Sequence, residues 1–288
     1  MPIRALPDWR PLPPRQVRLD YQPVRLPPAE GPLRIAGAWT VTADDPRFKG
    51  LSALAVDQGH FLAITDYGTV IRLDHPAAED GRAWLADLRI GPGDIGRKSS
   101  RDAESLAFDP RGRGWWVGYE QRHSLWLYDR SFNHARTAIA LNRGWGRNRG
   151  IEGLIGDDDG LLAFPEKGGE IVRVDSAGLQ TARMVGGWGV ADAARAPDGS
   201  AWLLLRSYRL DGIAQAVAPL TRSAGGYRIG TAWPLPKEML DNYEGMVIRA
   251  KPGGGWRFWL VSDDGHRFMA RTLLVALDLD KTQKNARR

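Results

Sequence analysis

The stretch EGLIGDDDGLLAFPE, residues 152–166, places two short apolar runs on either side of a glycine-containing turn, with a glutamate at each outer end. The apolar runs have the length of strands, and the turn between them is typical of an antiparallel hairpin. The first and last residues of such a hairpin lie side by side. We therefore expect Glu152 and Glu166 to meet at one end of a strand pair.

The same plan recurs along the chain. Four other stretches read polar residue, apolar strand, turn, apolar strand, polar residue; they are 52–66, 104–120, 192–206 and 244–263. They begin roughly 40 to 50 residues apart, and further strand-sized segments follow most of them, which is the signature of propeller blades. The repeats therefore predict an all-β propeller of four-stranded antiparallel blades.

The two ends of the repeat region predict how the ring closes. A strand-like segment, 33–41, precedes the first repeat, and the last repeat has only three strands. The N-terminal strand can complete the C-terminal blade, which leaves no free sheet edge. We favour five blades; a sixth, degenerate blade built partly from residues 1–32 is the alternative. The predicted organisation is an N-terminal extension (1–32) packed on one propeller domain (33–280), followed by a basic tail (281–288).

Composition narrows the classes of protein. The chain has 288 residues, a net charge of +6 and no cysteine, which excludes disulfides, thiolate metal sites and a cysteine nucleophile. No apolar stretch approaches the roughly 20 residues that span a bilayer, and no signal peptide is visible. We expect a monomer without a membrane span, periplasmic or secreted if an export signal was removed, and cytoplasmic otherwise.

The outer ends of the five hairpins are expected to meet at one mouth of the propeller channel. The predicted pairs are Ser52 with Asp66, Glu104 with Glu120, Glu152 with Glu166, Asp192 with Arg206, and Glu244 with Asp263. Crowded carboxylates repel one another and need compensation. A hard cation with oxygen ligands would provide it, Ca²⁺ before Mg²⁺. A purely structural ring of ion pairs is the other possibility.

Basic residues are expected around this acidic ring. Lys49, Arg101 and Arg149 each stand three residues before a first-strand ring position, and Arg206 occupies a ring position itself. A metal held by acids beside such cations is the chemistry of phosphoester binding. The predicted substrate is a small anion such as a phosphoester. Nucleic-acid binding is not expected, because the basic residues are scattered and the mouth is acidic.

These observations lead to a metal-dependent hydrolase of a phosphate ester or related ester. The expected metal ligands are Asp66, Glu104, Glu152, Glu244 and Asp263. Glu120 or Glu166 would be the general base, and His266, three residues after Asp263, would donate a proton. A non-catalytic ligand- or protein-binding propeller and a lactonase-like propeller hydrolase with one calcium ion are the alternatives, since the fold alone does not decide function.

Several short segments carry a family resemblance. They are GLSALAVD (50–57), TDYG (65–68), DAESLAFD (102–109) with GYE (118–120), GIEGLI (150–155) with PEK (165–167), and NYEGMV (242–247) with VSDD (261–264). In order and spacing they resemble the phytase-like propeller domain described as "esterase-like activity of phytase", over roughly residues 33–280. The resemblance implies an often exported β-propeller with metal-assisted phosphoester or ester hydrolysis.

The resemblance also implies an acidic centre. It would consist of Asp66, Glu104, Glu120, Glu152, Glu166, Glu244 and Asp263. The chain departs from the family pattern at Ser105 and Gly265, where glycine and asparagine are usual. The fourth repeat, 192–206, lacks the usual acid-glycine pair and carries Arg206.

Overall fold

Nearly all regular structure in the protein is β. The computed structural model describes residues 12–78, 80–94, 98–141, 144–146, 149–158, 160–209, 212–238, 241–264 and 271–280. Within these residues there are 22 strands and one helical turn, α1 (Lys98–Arg101). No helix in this part of the chain is long and apolar enough to cross a membrane.

Within each group of four strands, consecutive strands are antiparallel neighbours. The first two are β1 (Arg15–Pro23) and β2 (Leu33–Ala43). Two four-stranded blades come next: β3 (Leu51–Asp57), β4 (His60–Thr65), β5 (Thr69–Leu73) and β6 (Arg82–Asp87), then β7 (Ala103–Phe108), β8 (Trp115–Tyr119), β9 (Ser124–Tyr128) and β10 (Ala135–Ala140). Short turns join consecutive strands, as expected for blades.

The second half of the chain repeats this order. The third blade is β11 (Ile151–Asp157), β12 (Gly160–Pro165), β13 (Glu170–Asp175) and β14 (Gly178–Val185). The fourth is β15 (Gly189–Arg195), β16 (Ala201–Arg209), β17 (Gly212–Ser223) and β18 (Gly226–Ile229), with β19 (Trp233–Pro234) also paired to β17. β18 pairs in parallel with β14, so these two blades form one continuous sheet. The last three strands are β20 (Tyr243–Ala250), β21 (Trp256–Ser262) and β22 (Leu273–Leu279).

The N-terminal strand completes the last sheet, as predicted. β2 pairs antiparallel with β22, with Leu33 opposite Leu279 and Thr40 opposite Leu273. β1 then lies between β2 and β6, so it joins the outer edges of the last and first sheets. In the described part of the N-terminal extension there is no separate blade; the extension forms this seam instead.

The first strand of each sheet is the innermost one. β3, β7, β11, β15 and β20 contact one another in a closed circle, with β20 returning to β3. The propeller architecture predicted from the repeats is thus confirmed. The circle encloses a channel, and the starts of all five strands face the same mouth.

Large side chains fill the space between neighbouring sheets. Trp202 of β16 packs against Phe258 and Trp256 of β21, with ring centroids 5.2 and 5.8 Å away. The same hydrophobic cluster includes Leu204 and Leu260, both fully buried. Burial of apolar area at about 25 cal/mol per Å² holds the sheets together. The rigid ring that results fixes where the inner strands begin.

Candidate functional site

Every innermost strand has a β-bulge near its start. The register shifts between residues 51 and 53, 103 and 105, 151 and 153, 190 and 192, and 243 and 245. A bulge leaves one residue unpaired and redirects its side chain. The five bulged residues are Ser52, Glu104, Glu152, Ala191 and Glu244. Three glutamates are therefore brought to one mouth of the channel by the same local distortion.

In the fourth blade, the residue equivalent to the bulged glutamates is one position earlier than the repeat alignment predicted. Its bulged residue is Ala191, and Asp192 takes the next position, where Gly153 and Gly245 stand in other blades. The Asp192 carboxylate accepts hydrogen bonds from the backbone N–H groups of Ala193 (2.7 Å) and Met246 (2.6 Å). Asp192 therefore ties β15 to β20 and does not line the mouth.

The mouth opens into a cavity of about 630 Å³. Its lining contains eight carboxylates and two cationic side chains, together with Ser52, Gln121 and Tyr208. The carboxylates are Asp66, Asp102, Glu104, Glu120, Glu152, Glu166, Glu244 and Asp263, and the cations are Lys98 and Arg206. The cavity thus brings together all seven carboxylates proposed from the sequence as ligands or bases, and adds Asp102.

Arg206 organises one half of the cavity. Its Nη2 atom lies 3.1 Å from Glu166 Oε1 and 3.7 Å from Glu152 Oε2, and its Nη1 donates to Glu244. Burial lowers the pKa of Arg206, but the surrounding glutamates outweigh this and raise it overall. Asn242 also donates to Glu244 Oε1 (2.5 Å), while the buried Oε2 of Glu244 has no hydrogen-bond partner among the described residues.

Lys98 organises the other half. It lies on α1, and its Nζ atom is 2.7 Å from Asp66 Oδ2, 3.4 Å from Asp102 Oδ1 and 4.0 Å from Glu104 Oε1. Burial lowers the pKa of Lys98, but the three carboxylates raise it overall. Gln121 Nε2 donates to Asp102 (3.3 Å), which holds this carboxylate between the two side chains.

Four glutamates of the cavity hold their protons unusually tightly. Burial is the main cause of the raised pKa of Glu104 and of Glu152, and neighbouring carboxylates add to it. Burial and the nearby Asp102 raise the pKa of Glu120 to about 8. Burial raises the pKa of Glu244 to about 7, although Arg206 opposes the shift. The cavity therefore carries more acid groups than its two cations compensate.

Two groups of carboxylates are close enough to share a cation. Asp102, Glu104 and Glu120 form one group, and Glu120, Glu152 and Glu166 form the other; within each, one oxygen per residue lies within 4.8 Å of the others. All the donors are carboxylate oxygens, which suits a hard ion such as Ca²⁺ or Mg²⁺. The residues present therefore fit a metal site, with Glu120 common to both groups.

The basic residues that were predicted to form a rim around the cavity lie mostly elsewhere in the structure. Arg101 is buried, and its guanidinium donates to backbone carbonyls of Leu88 and Pro92 instead of facing the cavity. Lys49 and Arg149 are exposed, and neither lines the cavity. His266 lies outside the described residues. Of the four predicted substrate-binding cations, the structure brings only Arg206 into the cavity lining.

Sequence reasoning missed two charged residues of the cavity, Asp102 and Lys98, and two uncharged ones, Gln121 and Tyr208. Asp102 stands two residues before the bulged Glu104, where Gly50 and Gly150 occupy the equivalent positions. An acid at a position where two other repeats have glycine was a sequence signal that could have identified Asp102 as a cavity residue. Lys98 lies in the connection between the first two blades, where no repeat pattern places it.

The comparison with protein families covers most of the chain. The phytase-like family, described as "Esterase-like activity of phytase", matches residues 46–266. The chain belongs to this family. Its bulged glutamates and the carboxylates that directly follow the second strands lie inside the matched range. The family description names an esterase-like activity, so membership indicates an enzymatic propeller.

Solved structures share the fold of this phytase-like chain. A glutaminyl cyclase from Myxococcus xanthus has 15% sequence identity and a TM-score of 0.51, with 88% of this chain and 99% of that chain covered. The PQQ-bound aldose sugar dehydrogenase from Streptomyces coelicolor has 15% identity and a TM-score of 0.53, with the same coverage. At this identity the likeness concerns the fold alone. No curated protein matches the chain.

Proposed function

We propose that the protein is a metal-dependent hydrolase that cleaves an ester, with phosphate esters as the first substrate class to test. The observation that carries the proposal is the pair of carboxylate groups that share Glu120. Eight carboxylates facing two cations would repel an anionic substrate. A divalent cation held by these two groups would offset that repulsion.

Each side chain has a role in this proposal. Asp102, Glu104, Glu120 and Glu152 would hold Ca²⁺, or Mg²⁺ less readily. When bound, such an ion polarises the ester oxygen and lowers the pKa of a water molecule. Glu166 is the most exposed of the three carboxylates around Arg206, at 24% of its side chain. It is therefore the best placed to accept a proton from water on the substrate side.

The cations of the cavity would orient the substrate. Arg206 is fixed by Glu166 and Glu244, so its position is set before a ligand arrives. Lys98 is about half exposed and can turn from Asp66 toward an anion at the mouth. Preorganised charge of this kind stabilises the negative charge that develops in ester cleavage.

The proposal is tested by metal binding and turnover together. We expect Ca²⁺ to raise the unfolding temperature and phosphate release from 4-nitrophenyl phosphate to stop on addition of a chelator. A ligand at 100 times its Kd stabilises by about 2.7 kcal/mol. Glu152→Gln should lose both responses. Glu238→Gln, at a carboxylate that is 57% exposed and pairs with Arg271, is the matched control and should keep them.

One observation favours a lactonase-like hydrolase as the second candidate. Lys49 and Arg149 are exposed and do not line the cavity, so the positive rim for an anionic substrate is weaker than the sequence indicated. A lactone needs a central cation but no such rim. Calcium-dependent turnover of lactones without turnover of phosphoesters would select this candidate. Calcium binding without turnover of either would indicate a non-catalytic binding propeller.

A further inference from the structure

The hairpin of β16 and β17 extends past the cavity mouth. These strands have 9 and 12 residues, whereas the equivalent β4 and β5 have 6 and 5. The other second strands end one residue before the carboxylate that lines the mouth. Here the pairing continues beyond Arg206, through Ser207, Tyr208 and Arg209. The added ladder forms a firm wall on the Arg206 side of the mouth.

Tyr208 stands on this wall with its ring open to solvent. It lines the cavity and is 68% exposed, the largest exposure among the large hydrophobic side chains that the structure describes. Its ring centroid lies 5.6 Å from the guanidinium carbon of Arg206. Glu152, Glu166 and Glu244 hold that guanidinium in place. The aromatic ring is therefore positioned by a rigid support and still has accessible surface.

A second aromatic group lies against the same hairpin. Arg209 is 6.0 Å from the ring centroid of Trp188, which precedes β15 and packs on a hydrophobic cluster of the third and fourth blades. This contact ties the extended hairpin to the body of the propeller. A tyrosine held on paired strands loses little conformational entropy when a ligand stacks on it.

We infer that Tyr208 is a stacking surface for an aromatic ring of the substrate, so that the site prefers aryl esters to alkyl esters. The inference rests on the proposed function, because it assigns the group attached to the ester that the cavity would cleave. Aromatic pairs prefer offset or edge-to-face packing at 4.5 to 7 Å, and each adds about 0.5–1.5 kcal/mol beyond the area it buries. That corresponds to roughly a twofold to tenfold preference.

Binding of two non-hydrolysable ligands tests the inference without turnover. With calcium present, calorimetry would compare phenylphosphonate with ethylphosphonate, which carry the same charged group. Tyr208→Ala should weaken phenylphosphonate about twofold to tenfold and leave ethylphosphonate unchanged. Tyr208→Phe should keep the preference for phenylphosphonate over ethylphosphonate, because the aromatic ring remains. In turnover, the loss should fall on KM for phenyl phosphate and spare kcat.

Phe108→Ala is the matched control. Phe108 is also an exposed aromatic paired with an arginine, with Arg130 at 4.9 Å, but it lines a cavity at the other end of the channel. Phe108→Ala should leave the affinity for both phosphonates unchanged. Equal effects of Tyr208→Ala on both ligands, or no effect on either, would overturn the stacking role and leave the hydrolase proposal standing. If the wild-type protein bound neither phosphonate and cleaved no phosphoester, the proposed function would fall, and this inference with it.

Discussion

The two mouths of the channel are built from the same five strands and differ in the side chains that line them. One is the acidic cavity of about 630 Å³. The other has about 540 Å³ and is lined mainly by apolar side chains, among them Leu54, Leu106, Leu154, Ala193 and Met246. Each of the five strands begins with a bulge and continues as a regular apolar strand; in four of them the bulged side chain, Ser52, Glu104, Glu152 or Glu244, lines the acidic mouth, whereas Ala191 of β15 is packed in the hydrophobic core. The position of a residue relative to the bulge therefore determines which mouth of the channel its side chain can line.

The two ends also differ in how their charges are compensated. At the apolar end, Asp157 is bound by Arg195 (2.8 Å) and Arg222 (3.2 Å), so that one acid meets two cations. At the acidic end, eight carboxylates meet Lys98 and Arg206. Asp157 is thus paired with two cations, whereas the carboxylates of the acidic end outnumber their cations four to one. Only the acidic end should therefore respond strongly to protons and divalent cations.

The largest effect is expected from removal of the buried cation of the acidic end. Arg206→Met leaves Glu152, Glu166 and Glu244 without their shared partner, and breaking a buried pair costs about 3–5 kcal/mol. We expect that loss in the free energy of unfolding at pH 8, measured with urea, and a smaller loss at pH 5.

Arg195→Met is the control at the apolar end. The Arg195 side chain is 35% exposed, and Asp157 keeps Arg222, so a loss of about 1 kcal/mol or less is expected. Similar losses for the two variants would show that the ends are equally compensated and would contradict the comparison.

The next effect concerns Asp192, which the structure removes from the acidic mouth. Asp192→Asn keeps the shape but replaces one acceptor oxygen by a donor, facing the N–H of Ala193 or Met246. A buried unsatisfied group costs about 1–3 kcal/mol, so stability should fall by that amount. The rise in unfolding temperature with Ca²⁺ should persist. Loss of the calcium response would contradict this assignment and indicate that Asp192 belongs to the metal site at the mouth.

The pH dependence of stability tests the excess of negative charge at the acidic end. Glu120 and Glu244 have folded pKa values of about 8 and about 7, both raised from 4.5, mainly by burial. Their contribution to stability is complete below about pH 4.5 and is lost as pH rises through 7 to 8. Without metal, the unfolding temperature should fall between pH 5 and 8.5. Calcium should reduce this fall, because it stabilises the ionised carboxylates. A flat profile without metal would contradict the excess of negative charge.

The sequence predicted the fold and most of the acidic cavity because both follow from the repeat. Paired residues at hairpin ends, such as Glu152 and Glu166, recur with the blades, and closure by β2 followed from the missing fourth strand. The bulges could not be recognised from the amino-acid sequence. Without them, the fourth repeat was aligned on Asp192, although Ala191 is the bulged residue. A single unpaired residue decides whether a side chain faces the channel or the next blade.

Residues in the connections between blades could not be placed from the repeat. Lys98 reaches the cavity from α1, and Arg101, three residues later, turns to the carbonyls of Leu88 and Pro92. Both are basic residues of one short segment, and only the course of the backbone separates their roles. The prediction of a cationic rim placed such residues on the loops that enter the innermost strands, but the repeat does not determine which way a loop turns its side chains.

The smallest effect is expected from the rim itself. Lys49 and Arg149 are exposed and do not line the cavity, so their charges reach it through solvent and are screened over about 10 Å at 0.1 M salt. The double variant Lys49→Ala, Arg149→Ala should change KM for a phosphoester less than about twofold, whereas Lys98→Met should raise it more, because Lys98 faces the cavity. A rise of several-fold in the double variant, strongest at low salt, would mean that these loops close on the bound anion. The acidic mouth would then carry the positive rim that the sequence indicated, and its contrast with the apolar end would be one of mobile cations as well as fixed acids.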